Sequence, residues 1–149
     1  MPFEVNRAAP AFAERRLLIA APRERVWELL AGIDDWPRWH SAVSKARLEG
    51  PLQVGTAFRW KAGGMTIDSK LAVLMPPIHI AWEGKAFGLR ARHGWYLYRH
   101  PRGTIVLTAE SFEGPLVHAL RPLAQRMLTR TLADGLTDLR REAETASGV

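Results

Sequence analysis

The hydrophobic period of the chain changes twice. Near the start, ERRLLIAA (14–21) reads as a short strand, and Pro22 then opens a helix, because the first helical N–H has no intrahelical partner to lose. Val26, Leu29, Leu30 and Ile33 follow at i, i+3, i+4 and i+7, one apolar face. Gly32 and the Asp34–Asp35 pair weaken that helix, and Pro37 biases Trp36 away from helical angles. A second short helical turn is expected over 37–42. From 43 to 113 the period becomes two. SKARLEG, TAFRWKA, MTIDSKLAVLM, IHIAWEGKA, LRARHGWYLYR and TIVLTAESFE are rich in β-branched and aromatic residues and are separated by short Gly and Pro signals. Loops that short predict antiparallel hairpins and a meander. From Gly114 the helical period returns. Leu116, Leu120, Leu123 and Met127 form one stripe, and Leu128, Leu132, Leu136 and Leu139 continue it one step round. Pro122 inside one continuous helix would cost ~3 kcal/mol. The tail therefore reads as a short segment near 115–121, then a long helix with Pro122 in its first turn. Strands followed by a covering helix predict an α+β fold.

Alternate strand residues share a face. On that basis Leu89, Ala91, His93, Trp95 and Leu97 point inward, as do Phe58 and Trp60, then Ile67, Ser69, Leu71 and Val73, then Ile78, Ile80 and Trp82. In TIVLTAESFE both faces are mixed, and Val106, Thr108, Glu110 and Phe112 are assigned inward. Arg59, Lys61, Lys70, Lys85, Arg90 and Arg92 fall on the outer face, which is expected to be basic and solvated. The inner face is aromatic, with Ser69, His93 and Glu110 set into it. Solid cores favour aliphatics without polar atoms, whereas an aromatic wall with a few convergent polar groups is the usual make-up of a small-molecule pocket. Pattern alone leaves a plain aromatic core open beside a cavity. The cavity reading predicts roughly 300–1,000 Å³, lined by Phe58, Trp60, Ser69, Leu71, Trp82, Trp95 and Phe112 from the sheet and by Leu120 and Met127 from the helical stripe.

Composition narrows the picture. The 149 residues, 47% hydrophobic and 24% charged, suit one globular domain over 1–149, with a core from about 14 to 144 and short terminal extensions. Cysteine is absent, which excludes disulfides, thiolate metal sites and cysteine nucleophiles. Lys plus Arg number 21 against 15 Asp plus Glu, for a net charge of +6. The cations are scattered and carry no zinc-finger or RNA-binding spacing, so a solvated basic surface is expected rather than a nucleic-acid partner. No apolar run is long enough for a transmembrane segment and no secretory signal opens the chain, so the expected location is cytoplasmic.

The stretches APRERVWELL (21–30), DDWPRWHSAV (34–43), GTAFRW (55–60), MPPIHIAWEG (75–84), FGLRARHGWYLY (87–98) and GTIVLTAESFEG (103–114), followed by the leucine-rich tail, resemble in order and spacing the START-like helix-grip superfamily (SRPBCC), in the group named for polyketide cyclases and dehydrases. The resemblance runs from about Glu14 to Glu144. It implies a curved antiparallel sheet of about seven strands wrapped around a long C-terminal helix, with a deep cavity between them and two short helices after the first strand closing one end. On that arrangement Trp36 and Trp39 become lid residues at the cavity mouth, or else plug the end of the sheet. Members of the group bind lipids, sterols, quinones or polyketides; some cyclise or dehydrate and many only carry. No short catalytic motif travels across the group.

His93 and Glu110 are the inward ionisable side chains on the sheet. They suit general acid–base work, such as enolisation or loss of water, and they equally suit a structural polar pair. GxSxG, HExxH and phosphate-loop motifs are missing. His40, His79, His93, His100 and His118 show no ligand spacing, so neither a metal nor a cofactor is expected. Three readings result: a binder or carrier of an apolar or aromatic small molecule (lipid, quinone or polyketide-like), a cofactor-free polyketide cyclase or dehydratase using His93 and Glu110, or an accessory protein that docks on a partner.

Overall fold

The computed structural model describes residues 3–147. The alternating segments form one antiparallel sheet of seven strands, ordered β1-β7-β6-β5-β4-β3-β2. The strands are β1 (Ala11–Ile19), β2 (Val43–Leu48), β3 (Ala57–Ala62), β4 (Met65–Met75), β5 (His79–Ala86), β6 (Leu89–His100) and β7 (Gly103–Glu113). Strands β2 to β7 are the expected meander. β1 pairs along β7, from Ala11 opposite Phe112 to Ile19 opposite Thr104. The first two strands thus occupy opposite edges, and the chain between them must cross the sheet. It crosses as α1 (Arg23–Ala31), a 3-10 turn (Ile33–Asp35) and α2 (Trp36–Trp39). Helices α3 (Pro115–Ala119) and α4 (Arg121–Ser147) complete the fold. The break falls at Leu120, where φ −118° and ψ 39° leave the helical region. Pro122 lies in the first turn of α4, where its missing N–H costs nothing.

α4 lies against the inner face of the curved sheet, which is the helix-grip arrangement. Leu128, Leu132, Leu136, Leu139 and Ala143 are its buried stripe, spaced at the helical period. On the outer face Arg59, Lys61, Lys70, Lys85, Arg90 and Arg92 are exposed, as parity predicts. Part of that charge is matched across strands: Arg59 pairs with Asp68 at 2.8 Å, and Glu83 stands opposite both Lys70 and Arg92. Among the described residues no helix is long and apolar enough to cross a membrane.

Four local expectations are corrected. β1 starts at Ala11 rather than Glu14, because Ala11 and Ala13 are buried beneath α4 and extend the pairing with β7. Trp36 adopts helical angles, φ −51° and ψ −40°, despite the following proline. Pro37 is in the first turn of α2, where the steric bias on its predecessor is outweighed by burial of the Trp36 indole. A bulge at Ala72 places Leu71 opposite Trp82 but Leu74 opposite Ile80. The extra residue reverses parity, so Leu74 rather than Val73 packs on the core. Ile78 closes the β4–β5 turn through its N–H to the Met75 carbonyl and is exposed, not inward.

Candidate functional site

Two groups of buried apolar side chains occupy the space between sheet and α4. One contains Trp36, Phe58, Trp82, Trp95, Leu136 and Leu139; the other contains Ala11, Ala13, Phe112, Leu128 and Leu132. Between them lies a cavity of about 200 Å³. Trp60, Trp82 and Trp95 form its first wall, and Leu89, Ala91, Phe112 and Leu132 its second. The floor residues Trp82, His93 and Trp95 are buried, whereas Gly63 of the β3–β4 turn and Met127 and Thr131 of α4 are exposed, so the mouth lies between that turn and the helix.

The void comes from small residues in register. Ser69 stands opposite Gly84, Gly84 opposite Ala91, and Ala91 and Ala11 flank Phe112. Gly84 is tightly held in this row, since a Cβ there would stand 2.7 Å from Ser69 Oγ and would force that hydroxyl to shift. That hydroxyl accepts the Trp60 Nε1–H at 3.0 Å and so fixes the indole in the wall.

Of the expected lining residues, Trp60, Ser69, Trp82 and Trp95 face the cavity, as do His93, Glu110, Phe112 and Met127. Trp36, Phe58 and Leu71 do not: they are buried behind the wall. The Trp36 Nε1–H donates to the Leu30 carbonyl at 3.1 Å. Its ring meets Phe58 and Trp60 edge-on, at 5.6 and 5.4 Å between centroids, and tilts against Trp82 at 5.1 Å. Trp36 therefore plugs the end of the sheet behind Trp60 and Trp82, and the cavity is smaller than the expected volume. Trp39 turns away toward a groove shared with Arg25 and Glu142. Leu120 is 45% exposed, because the break between α3 and α4 carries it outside. Helix α4 lines the cavity about three to four turns further on, with Thr131, Leu132 and Gly135.

His93 and Glu110 are cross-strand partners. His93 Nε2 lies 2.8 Å from Thr108 Oγ1, and that hydroxyl donates to the Gly94 carbonyl at 3.0 Å. A hydroxyl has one proton, so Thr108 must accept from histidine. Nε2 thus carries the ring proton and Nδ1 the lone pair. Nδ1 is buried without a hydrogen-bond partner, 3.6 Å from Glu110 Oε2. Burial, with nearby His40 adding to it, lowers the His93 pKa to about 3. Burial raises that of Glu110 to about 8. At neutral pH the two are a carboxylic acid facing an imidazole lone pair, not an ion pair. Their separation is long for a hydrogen bond, which leaves both ends able to turn to a guest.

His40 also lines the cavity, although the sequence reading set it aside with the other histidines. It caps α2 and reaches α4 at Gly135, where a Cβ would stand 3.4 Å from Nε2. Its Nδ1 is 3.9 Å from Asp138 Oδ2. Asp138 anchors the same loop: Oδ2 accepts from the Ser41 N–H at 2.8 Å and hydroxyl at 2.7 Å, and Oδ1 from Arg141 at 2.7 Å. Burial alone would raise the Asp138 pKa, but the Ser41 and Arg141 bonds outweigh it and hold the carboxylate below its ordinary range. For His40, burial prevails over the pull of Asp138 and Asp134 and lowers the pKa. One sequence signal marks this site: Gly135 is the lone glycine in a leucine-striped helix, where it costs about 1 kcal/mol relative to alanine. Among the described residues no three His, Asp or Glu side chains converge as a metal site.

The family model described as polyketide cyclase / dehydrase and lipid transport matches residues 12–144. No curated protein matches the chain. Among solved structures, the chain is similar to the hypothetical protein jhp0584 from Helicobacter pylori, at 17% identity and TM-score 0.80, covering 91% of this chain and 89% of that one. It is similar to a START superfamily protein from Mycobacterium smegmatis, at 14% identity and TM-score 0.75, covering 91% and 98%. It is also similar to the Zhui aromatase/cyclase from Streptomyces sp. R1128, at 19% identity and TM-score 0.74, covering 89% and 93%. Identities this low carry the fold and not the chemistry. The family match is of another kind, since it runs from the first strand almost to the end of the last helix: the chain belongs to the polyketide cyclase / dehydrase and lipid transport family.

Proposed function

We propose that the cavity binds a small, neutral, apolar or aromatic molecule. The observation that carries this reading is the neutrality of its ionisable lining: His40, His93 and Glu110 are each shifted toward the uncharged form. A charged guest would lose its hydration and find no counter-charge. A flat neutral guest with a hydroxyl or carbonyl finds an acceptor in His93 Nδ1, a donor in the Glu110 carboxyl, and stacking surface on Trp60, Trp82, Trp95 and Phe112. Volume narrows the class. A dry cavity of ~150 Å³ takes up benzene, so about 200 Å³ suits one ring or two fused rings. A longer chain, as in a quinone, lipid or polyketide-like molecule, would leave past Met127. This proposal treats residues 1–149 as one domain acting in the cytoplasm. Titration with 1-naphthol and 1-naphthoate, followed by tryptophan fluorescence, tests it. Saturable naphthol binding with naphthoate excluded at neutral pH is expected. Absence of saturable binding, or equal affinity for the anion, overturns it.

A second reading, cofactor-free cyclisation or dehydration of a polyketide-like substrate, is favoured by one feature: an unpartnered imidazole nitrogen beside a carboxyl of raised pKa supplies base and acid together. His93→Gln separates the two readings. Turnover of a poly-β-ketone that falls by about a hundredfold or more supports catalysis. A loss of about 1–3 kcal/mol in stability with naphthol affinity retained supports a structural pair.

A further inference from the structure

Large apolar side chains stand in solvent around the cavity mouth. Phe87, in the β5–β6 turn, is 93% exposed, and Leu116, Leu123 and Met127 are 42%, 59% and 39% exposed. They form one patch. The β5–β6 turn touches α3, since a Cβ at Gly88 would stand 2.8 Å from Leu116 Cβ. Leu120 stands exposed at the junction of α3 and α4, Leu123 and Met127 share one face of α4 at i+4, and Met127 is on the cavity rim. The leucine stripe that the sequence assigned to the interior is therefore displayed outside, beside the entrance.

The helical side of this patch is basic. Residues 114–133 carry Arg121, Arg126 and Arg130 and no Asp or Glu, and all three arginines are exposed. The sheet cations nearby lie on the outer face and are matched across strands, Lys85 opposite Asp68, Arg90 opposite Glu113 and Arg92 opposite Glu83. Apolar side chains beside a row of arginines match a membrane interface, where the first enter the headgroup–acyl boundary and the second meet lipid phosphates.

We infer that the cavity-mouth end of this protein docks on an anionic phospholipid bilayer, with Phe87 and the leucines of α3 and early α4 in contact with lipid. The entrance then faces the acyl region, and an apolar guest passes between bilayer and cavity without crossing water. A protein partner on the same patch would cover the entrance. The inference holds whatever guest the cavity takes.

Cosedimentation with phosphatidylcholine–phosphatidylglycerol vesicles and with pure phosphatidylcholine vesicles tests it. At ~0.1 M salt, where screening extends over about 10 Å, the full chain should pellet with the anionic vesicles and stay in solution with the neutral ones. Phe87→Asp with Leu123→Asp should weaken partitioning by about tenfold or more, since each side chain loses its apolar burial. Replacing Arg121, Arg126 and Arg130 by Gln should weaken it about a hundredfold, at about fivefold per cation. These positions are exposed and outside the cavity, so naphthol titration and melting of both variants should match the parent. A chain that stays in solution with anionic vesicles, or variants that pellet like the parent, would overturn the proposal. Loss of naphthol binding alone would overturn only the cavity reading.

Discussion

Replacing Glu110 by Gln removes the cavity carboxyl while keeping its volume. Burial raises the Glu110 pKa to about 8 in the folded protein, from 4.5 in the open chain. Between those values the folded state holds a proton that the unfolded state has released. This group's stabilisation is therefore complete below pH 4.5 and is lost as pH rises toward 8, at about 1.4 kcal/mol per pH unit. His93 acts in the opposite sense. Its folded pKa of about 3 lies below 6.5, so the unfolded chain takes up the proton first, and stability is lost as pH falls from 6.5 toward 3. The slopes of these two groups cancel between 4.5 and 6.5, so the pair by itself contributes an acid limb below that range and an alkaline limb above it. The alkaline limb, from 6.5 to 8, amounts to about 2 kcal/mol.

Urea unfolding followed by tryptophan fluorescence, repeated across this pH range, reads both curves. Glu110→Gln should lack the alkaline limb and keep the acid one. Subtracting the variant's stability from the parent's cancels His93, together with His40, whose lowered pKa adds to the acid limb. The difference should fall steadily by about 1.4 kcal/mol per pH unit up to pH 8. A flat difference refutes the reasoning. A difference that rises with pH refutes it more specifically, because it means a charged Glu110 paired with a charged His93.

Trp36→Ala should cost about 3–5 kcal/mol, as for other buried aromatics, and should open the cavity backward behind Trp60 and Trp82. Melting curves read the first effect, and uptake of phenols with more than two fused rings, refused by the parent, reads the second. Gly135→Ala places its Cβ 3.4 Å from His40 Nε2, a contact the ring can accommodate, so the helix gains up to ~1 kcal/mol. Gly135→Leu displaces His40 instead and should abolish naphthol binding in the same titration. Asp138→Ala strips the acceptor from Ser41 and Arg141 and should destabilise by about 1–3 kcal/mol in urea unfolding at neutral pH.

The strand pattern was readable because it is local. Alternation along LRARHGWYLYR places His93 and Trp95 on the inner face, and the two-piece tail follows from Pro122 alone. What failed depended on a partner elsewhere in the chain. Nothing near Val73 announces the bulge that hands its place to Leu74; it appears only in the register against β5. Trp36 looked like a lid because its neighbourhood resembles a helix break, yet its surroundings are Phe58, Trp60 and Trp82 on strands far along the chain. The stripe of Leu116 to Met127 has helical spacing, but spacing cannot say which turn of a helix meets the sheet. The break at Leu120 leaves Leu116, Leu120 and Leu123 outside, and the helical lining falls to Met127, Thr131, Leu132 and Gly135.

The deeper obstacle is that the cavity is made by what its residues lack. Parity ranks strands by the side chains they present, and so weights Phe58 and Leu71, which turn out to be packing. The space depends instead on Ser69, Gly84 and Ala91 standing in one row across three strands, with Gly135 facing them from α4. Each is unremarkable in its own segment. Together they stop the two halves of the core from meeting, and His93 and Glu110, two residues along the strands on the same face, border the resulting gap. Had that row been filled with leucine, the same pair would lie in solid packing, where an Nδ1 without a partner would be a plain cost. Here the cost is tolerable because the open side is where a guest's hydrogen-bonding group can enter. On the proposed reading, the missing side chains and the unpartnered nitrogen are two halves of one feature, a neutral socket that offers a guest both room and a hydrogen-bond acceptor.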